Sequence, residues 1–264
     1  TLRLLSLHPY CLYEVSMVKR QVVLTVSESK RLIAKAVAAM DIVKRALRDG
    51  IVVVAKGSTN SYIVEELLSK KIDKRAYLTG VVTPDEPLTS GLPKPKPMRD
   101  VVLVRGVVDE SLDRFTAVEK MGRGDVYIKG ANALNYREKA VGILIGSEVG
   151  GTIGRTIGYI VGKKIHLVLP VGLEKLVYES IWELARRMNS PDSEGPSLMP
   201  VTGLIVTEIE ALKILTGVDA TLVASGGIAG AEGAVRLLIE GPEERVEKAM
   251  TLLQTIKGEP PLTL

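Results

Sequence analysis

The sequence predicts an α/β protein: a Rossmann-like parallel sheet covered by helices, with a small C-terminal ferredoxin-like α+β domain. Three observations predict it. Ile51–Leu68, IVVVAKGSTNSYIVEELL, opens as an unbroken apolar, β-branched run, turns at Lys56-Gly57-Ser58-Thr59-Asn60 and continues with helical spacing. An unbroken run of this kind suits a strand buried on both faces, as in parallel sheets. Strand-like and helix-like stretches then alternate with short turns along the first two thirds of the chain. Past a linker-like stretch, Asn189–Pro200, the order reads β-α-β-β-α-β, the split-βαβ arrangement. The linker divides the chain into an α/β domain over 1–190 and a smaller domain over 200–264.

Composition fits this class. The 264 residues are 46% hydrophobic, enough for a sizeable core. A formal net charge of +4 permits an anionic ligand, but without a clustered basic and aromatic face it does not point to nucleic acid. Cys11 is the one cysteine, so an intrachain disulfide is excluded, and with His8 and His166 the only histidines a metal site is not expected. No apolar run reaches the length of about 18 residues that a membrane helix needs. Together these predict a cytoplasmic protein. Few aromatics beside abundant Val, Ile, Lys and Glu fit heat adaptation.

Element by element, Val18–Val26 reads as a strand. Ser27 reads as the N-cap of a helix whose apolar stripe (Leu32, Ile33, Ala36, Val37, Met40, then Val43, Ala46, Leu47) runs to a C-terminal Asp49-Gly50. The strand at Ile51 and a helix over Ser61–Lys70 follow. Tyr77–Thr83 reads as a strand. Pro84–Asp100 is too rich in proline for regular structure and reads as a surface loop. Val101–Val107 is a strand, Leu112–Met121 a helix, and Asp125–Lys129 and Ala140–Ile145 are strands. Gly146–Gly158 is the most glycine-dense segment and reads as a loop able to cradle an anion. Lys164–Pro170 is a strand and Tyr178–Met188 lies in a helix. In the small domain, strands at Leu204–Val206, Thr221–Ala224 and Val235–Glu240 alternate with helices at Glu208–Leu215 and Pro242–Ile256. A last strand is expected over Lys257–Leu262.

The turn after the Ile51 strand carries the clearest chemistry. Free N–H groups at a helix start favour an anion. Ser58 and Thr59 add hydroxyls, Gly57 lets a ligand approach, Lys56 adds positive charge, and Asn60 completes the turn. Asn132, past the Asp125 strand, sits at the strand ends where open α/β sheets bind ligands. Gly150, Gly151, Thr152 and Arg155 form a second candidate anion cradle. Glu148 and Lys139 are the candidate catalytic groups, a carboxylate and an amine.

Ser29–Leu68, with its strand–GST–helix unit, and Asp125–Lys139, DVYIKGANALNYREK, resemble the two signature segments of the ribose-5-phosphate isomerase A family and, more broadly, the NagB/RpiA/CoA-transferase-like superfamily. The resemblance implies a phosphosugar-type site on a parallel sheet. The family's GTGST turn is here Ala55-Lys56-Gly57-Ser58-Thr59. Its DGADE motif, whose carboxylates move protons, is here Lys129-Gly130-Ala131-Asn132-Ala133. Lys139 is the counterpart of a family lysine that follows a GGG run, and no such run precedes it here. Ala140–Lys175, ending in Gly172-Leu173-Glu174-Lys175, is similar to lactate-utilisation-type domains of the same superfamily.

The expectation is a protein that binds a phosphorylated or carboxylate small molecule: either an isomerase- or transferase-like enzyme without the usual isomerase carboxylates, or a non-catalytic sensor or scaffold on the same fold. No cofactor, nucleic acid or membrane is expected as a partner. Exposed strand edges and the Ser225–Gly230 turn in the small domain predict a homo-oligomer.

Overall fold

The computed structural model describes residues 16–80, 82–83 and 94–263. Cys11, His8 and positions 84–93 of the proline-rich loop lie outside these. The chain opens with strand β1 (Met17–Leu24). Thr25 then caps helix α1 (Val26–Ala39): its hydroxyl accepts from the Glu28 amide, and the Glu28 carboxylate accepts from the Thr25 amide. This reciprocal box places the cap two residues before Ser27, the cap expected from sequence. The expected single helix also breaks, at Met40 (φ −60°, ψ 135°), before α2 (Asp41–Asp49). Neither proline nor glycine marks the break, so periodicity carries no sign of it.

Strand β2 (Ile51–Val54) leads into α3 (Ser58–Leu68). β3 (Val101–Val104) and β4 (Val107–Val108) form a hairpin through Arg105 and Gly106, both at positive φ (48° and 78°), the backbone that a two-residue turn between twisted strands favours. α4 (Thr116–Lys120), β5 (Val126–Ile128), β6 (Ala133–Asn135), β7 (Ala140–Ile145), α5 (Gly151–Gly162) and β8 (His166–Pro170) follow. The chain closes with α6 (Ile181–Met188), β9 (Ser197–Val201), β10 (Leu204–Val206), α7 (Glu208–Thr216), β11 (Asp219–Ser225), β12 (Val235–Pro242) and α8 (Glu243–Gln254).

The protein is a mixed α/β structure around a six-stranded sheet of order β10-β8-β5-β2-β3-β4. β10, β8, β5 and β2 run parallel; β3 and β4 are antiparallel additions. Val52, Val53, Val54, Val126, Tyr127 and Ile128 are fully buried, as expected of strands covered on both faces. Two three-stranded antiparallel sheets flank it, β6-β7-β9 and β1-β12-β11.

Several expectations change. Tyr77–Thr83 holds no strand among its described residues; Tyr77 ends a single 3-10 turn. Its buried hydroxyl donates to Val54 O and accepts from the Val101 amide, so the residue braces β2 against β3 from the side. The glycine-dense segment is largely helix α5, not a loop. Gly150 starts it at φ 74°, where an added Cβ would lie 2.9 Å from Gly154 Cα, so that glycine serves tight packing of the first turn. The linker-like stretch contains β9, which pairs with β7. Sheet membership also departs from the 190/200 division. β10 is an edge of the large sheet beside β8, and β1, from the other end of the chain, pairs along its whole length with β12. Residues 257–262 form no strand. Pro260 and Pro261 lack the amides a ladder needs, and Lys257 and Gly258 are tied to the Glu28 carboxylate at 3.1 and 3.0 Å.

Candidate functional site

Because β2, β5 and β8 are parallel, the turns after all three come out at one edge of the sheet. A cavity of about 820 Å³ opens there. The β2 turn contributes Lys56, Gly57, Ser58, Thr59 and Asn60; the β5 turn contributes Lys129, Gly130, Ala131 and Asn132; the β8 turn contributes Lys175. The first turns of α1 add Val26, Ser27 and Lys30. One rim is the segment Leu78, Thr79, Gly80, Val82 and Thr83; another is Pro261, Leu262 and Thr263 near the C-terminus.

The start of α3 is open towards this space. The Gly57 amide is held by Tyr77 O at 2.9 Å, and the first bond back to the turn is Ser61 N to Gly57 O, 2.9 Å. The amides of Ser58, Thr59 and Asn60 have no acceptor among the described residues, and no side chain caps this helix. Unpaired N–H groups and the positive end of the helix dipole favour an anion. Gly57 is extended (φ 163°), and a Cβ built on it meets nothing within 4 Å. Its value here is room, not backbone freedom.

Asn60 has a different part from the one expected. Its side chain is fully buried, and Nδ2 donates to Ala55 O (2.7 Å) and Ile128 O (3.4 Å), so it clamps the ends of β2 and β5. Its Oδ1 has no partner. Asn132 is similarly engaged: Oδ1 accepts from the Leu144 amide at 3.1 Å.

Four lysines face the cavity, and among the described residues no Asp, Glu or His is in its wall. Lys30 and Lys56 have no hydrogen-bond or ion-pair partner among the described residues. Lys129 Nζ donates only to Gly130 O, 2.9 Å. Lys175 Nζ donates to Ala131 O (3.0 Å) and lies 3.9 Å from the Glu174 carboxylate, which sits behind the wall. Burial, together with the neighbouring Lys175 charge, pushes Lys129 down to about 8. Lys30 also falls to about 8 through burial and Lys175, with Glu174 opposing.

Behind Lys30 and Glu174 lies Glu208, fully buried at the start of α7. One oxygen accepts from the Leu173 amide at 2.9 Å; the other has no partner, nor do Ser29 Oγ and Glu174 Oε2. Burial and the Glu174 charge raise Glu208 to about 7. On the other side of α1, buried Arg31 pairs with Glu65, Glu66 (2.9 Å) and Glu259 (2.9 Å) and stands over the Tyr62 ring. This network ties the C-terminal rim to α1 and α3.

The structure therefore brings together Lys56, Gly57, Ser58, Thr59, Asn60 and Asn132. It leaves the other candidates outside the cavity wall. Gly150, Gly151 and Thr152 build the start of α5, where Thr152 O accepts from the Thr156 hydroxyl at 2.9 Å. Arg155 stacks on Phe115, 3.6 Å from the ring centroid. Glu148 is exposed on the preceding loop. Lys139 lies 3.6 Å from Glu210 and 3.4 Å above the Tyr136 ring, in a separate groove. Sequence reasoning missed Lys30, Lys129, Lys175 and Glu208. Lys129 had a usable signal, as a lysine at the carboxyl end of a buried strand; Glu208 had none. Among the described residues no cluster of three His, Cys, Asp or Glu side chains could hold a metal, and no helix is long and apolar enough to cross a membrane. The chain matches no family model, no curated protein and no solved structure.

Proposed function

We propose that the protein binds a phosphorylated or carboxylate small metabolite in the cavity at the carboxyl ends of β2, β5 and β8. The observation that carries this reading is the wall itself: four lysines and an uncapped helix start around one space, with no carboxylate among its described residues. Four ammonium groups with one nearby carboxylate, Glu174 behind the wall, carry an excess of like charge that weakens a fold, and a bound anion relieves it. The size falls within the range of small-molecule sites, about 300–1,000 Å³.

On the same reading, the chain is a divergent relative of the NagB/RpiA/CoA-transferase-like superfamily. The strand–GST–helix unit and the parallel core support this. β1, β11, β12, α7 and α8 then form a ferredoxin-like unit built from both ends of the chain. We also propose a cytoplasmic, heat-adapted homo-oligomer, supported by the lone cysteine, the charged composition and the exposed edge of β11. If the protein is an isomerase- or transferase-like enzyme, lysine amines, not carboxylates, supply its proton chemistry, since they are the groups in the wall that titrate near neutrality. The alternative, a ligand sensor or scaffold, is favoured by a wall that shows no carboxylate or imidazole among its described residues.

Thermal unfolding against sugar phosphates, nucleotides, CoA esters and short carboxylic acids tests the reading. Wild type is expected to be stabilised by at least one anionic class, and Ser58→Ala/Thr59→Ala or Lys129→Met to lose most of that shift. Equal stabilisation of wild type and both variants would place the ligand elsewhere.

A further inference from the structure

The cavity carries its positive charge in two places. Lys129 and Lys175 donate to the successive carbonyls of Gly130 and Ala131, at 2.9 and 3.0 Å, so they stand together at the β5 turn, and Lys30 of α1 lines the same cavity. Lys56 comes from a different turn, the one after β2, next in sequence to the start of α3, where the amides of Ser58 and Thr59 have no acceptor among the described residues. Each place is a complete anion anchor. The α3 end offers amides, a hydroxyl and an ammonium. The lysine trio offers three ammonium groups against one carboxylate, Glu174, set behind them. A single phosphate fills a small part of a cavity of about 820 Å³ and leaves one anchor uncompensated.

Resting on the anion-binding reading above, we propose that the ligand is doubly anionic, with one phosphate or carboxylate on the first turn of α3 beside Lys56 and a second among Lys30, Lys129 and Lys175. A bisphosphate, or a phosphate ester that also bears a carboxylate, has this form. The body of such a ligand lies along Gly130 and Asn132.

The two anchors are separable by calorimetry at fixed ionic strength, with probes that carry no sugar specificity. These are inorganic phosphate, propyl phosphate, and α,ω-alkanediol bisphosphates of two to six carbons. Phosphate and propyl phosphate are expected to bind weakly. At one chain length the bisphosphate is expected to bind roughly a hundredfold tighter, because the second contact becomes intramolecular. Lys30→Met/Lys175→Met should abolish that gain and bring the bisphosphate down to the level of propyl phosphate; Lys56→Met/Ser58→Ala should abolish it from the other end. Should the double lysine variant fail to fold, Lys129→Gln is expected to give the same loss. If phosphate and propyl phosphate bind but no bisphosphate exceeds them, the doubly anionic ligand is excluded while the anion site stands. If no probe binds at all, both readings fall.

Discussion

At the scale of single residues, the cavity is defined by groups held away from their ordinary protonation. Lys30 and Lys129, both near 8, bind an anion best when protonated. An anion raises their pKa on binding, so affinity should be flat below pH 8 and fall above it, by up to about tenfold per pH unit for each lysine that takes up a proton. Calorimetry at pH 7, 8 and 9, in buffers of different ionisation enthalpy, reads both the fall and the proton uptake. A pH-independent affinity would remove these lysines from the site. Glu208 moves the other way. Its folded pKa, about 7, lies above the unfolded value of 4.5, so the folded state holds its proton more tightly. That stabilisation is present below pH 4.5 and is lost as pH rises through 7. Glu208→Gln keeps an oxygen for the Leu173 amide and removes the charge. It should stabilise the protein by about 2–3 kcal/mol at pH 8 and by less than about 1 kcal/mol at pH 5, measured by urea unfolding.

At the scale of elements, the start of α3 was legible because its chemistry is local. A buried β-branched strand, a glycine and two hydroxyl residues at a helix start define this turn, the proposed anchor, without help from the rest of the chain. Gly57→Ala tests that anchor cleanly. The backbone there is extended and a Cβ meets no protein atom, so stability should stay within about 0.5 kcal/mol while anion affinity drops as the methyl group takes ligand space. A large stability loss with unchanged affinity would assign the glycine to folding alone. The segment around Gly150 gave the opposite lesson. Glycine density suggested a cradle, yet those residues start α5, where Gly150 is required by its distance to Gly154. Glycines for a ligand and glycines for close packing look the same in one dimension.

At the scale of the whole molecule, the two ends of the chain meet. β1 pairs with β12, Glu259 reaches Arg31, and β10 completes the large sheet. A fragment of residues 200–264, cut at the division suggested by sequence, loses β1 and leaves β12 with one neighbour. It should give poorly dispersed amide spectra and no cooperative melt, and adding a peptide of residues 16–25 should restore order in part. A fragment that folds by itself would show that the small sheet does not depend on β1. The Arg31 network makes the same link by charge: burial is the largest single effect and would raise Glu65 and Glu259, but Arg31 together with Lys74, the Ile72 amide at Glu65 and Lys71 at Glu259 holds both carboxyls below their usual range.

The sequence by itself determined that this is an α/β protein, where the buried strand β2 lies, and that a glycine and hydroxyl residues lead from it into a helix. Each of these follows from a local period or a local set of donors. The tertiary structure decided the partners of β1 and β10, the antiparallel edge formed by β3 and β4, and the meeting of Lys30, Lys129 and Lys175. Register between distant strands, and charges collected from three separate turns, depend on contacts far apart in the chain. Hydrophobic periodicity carries no record of those.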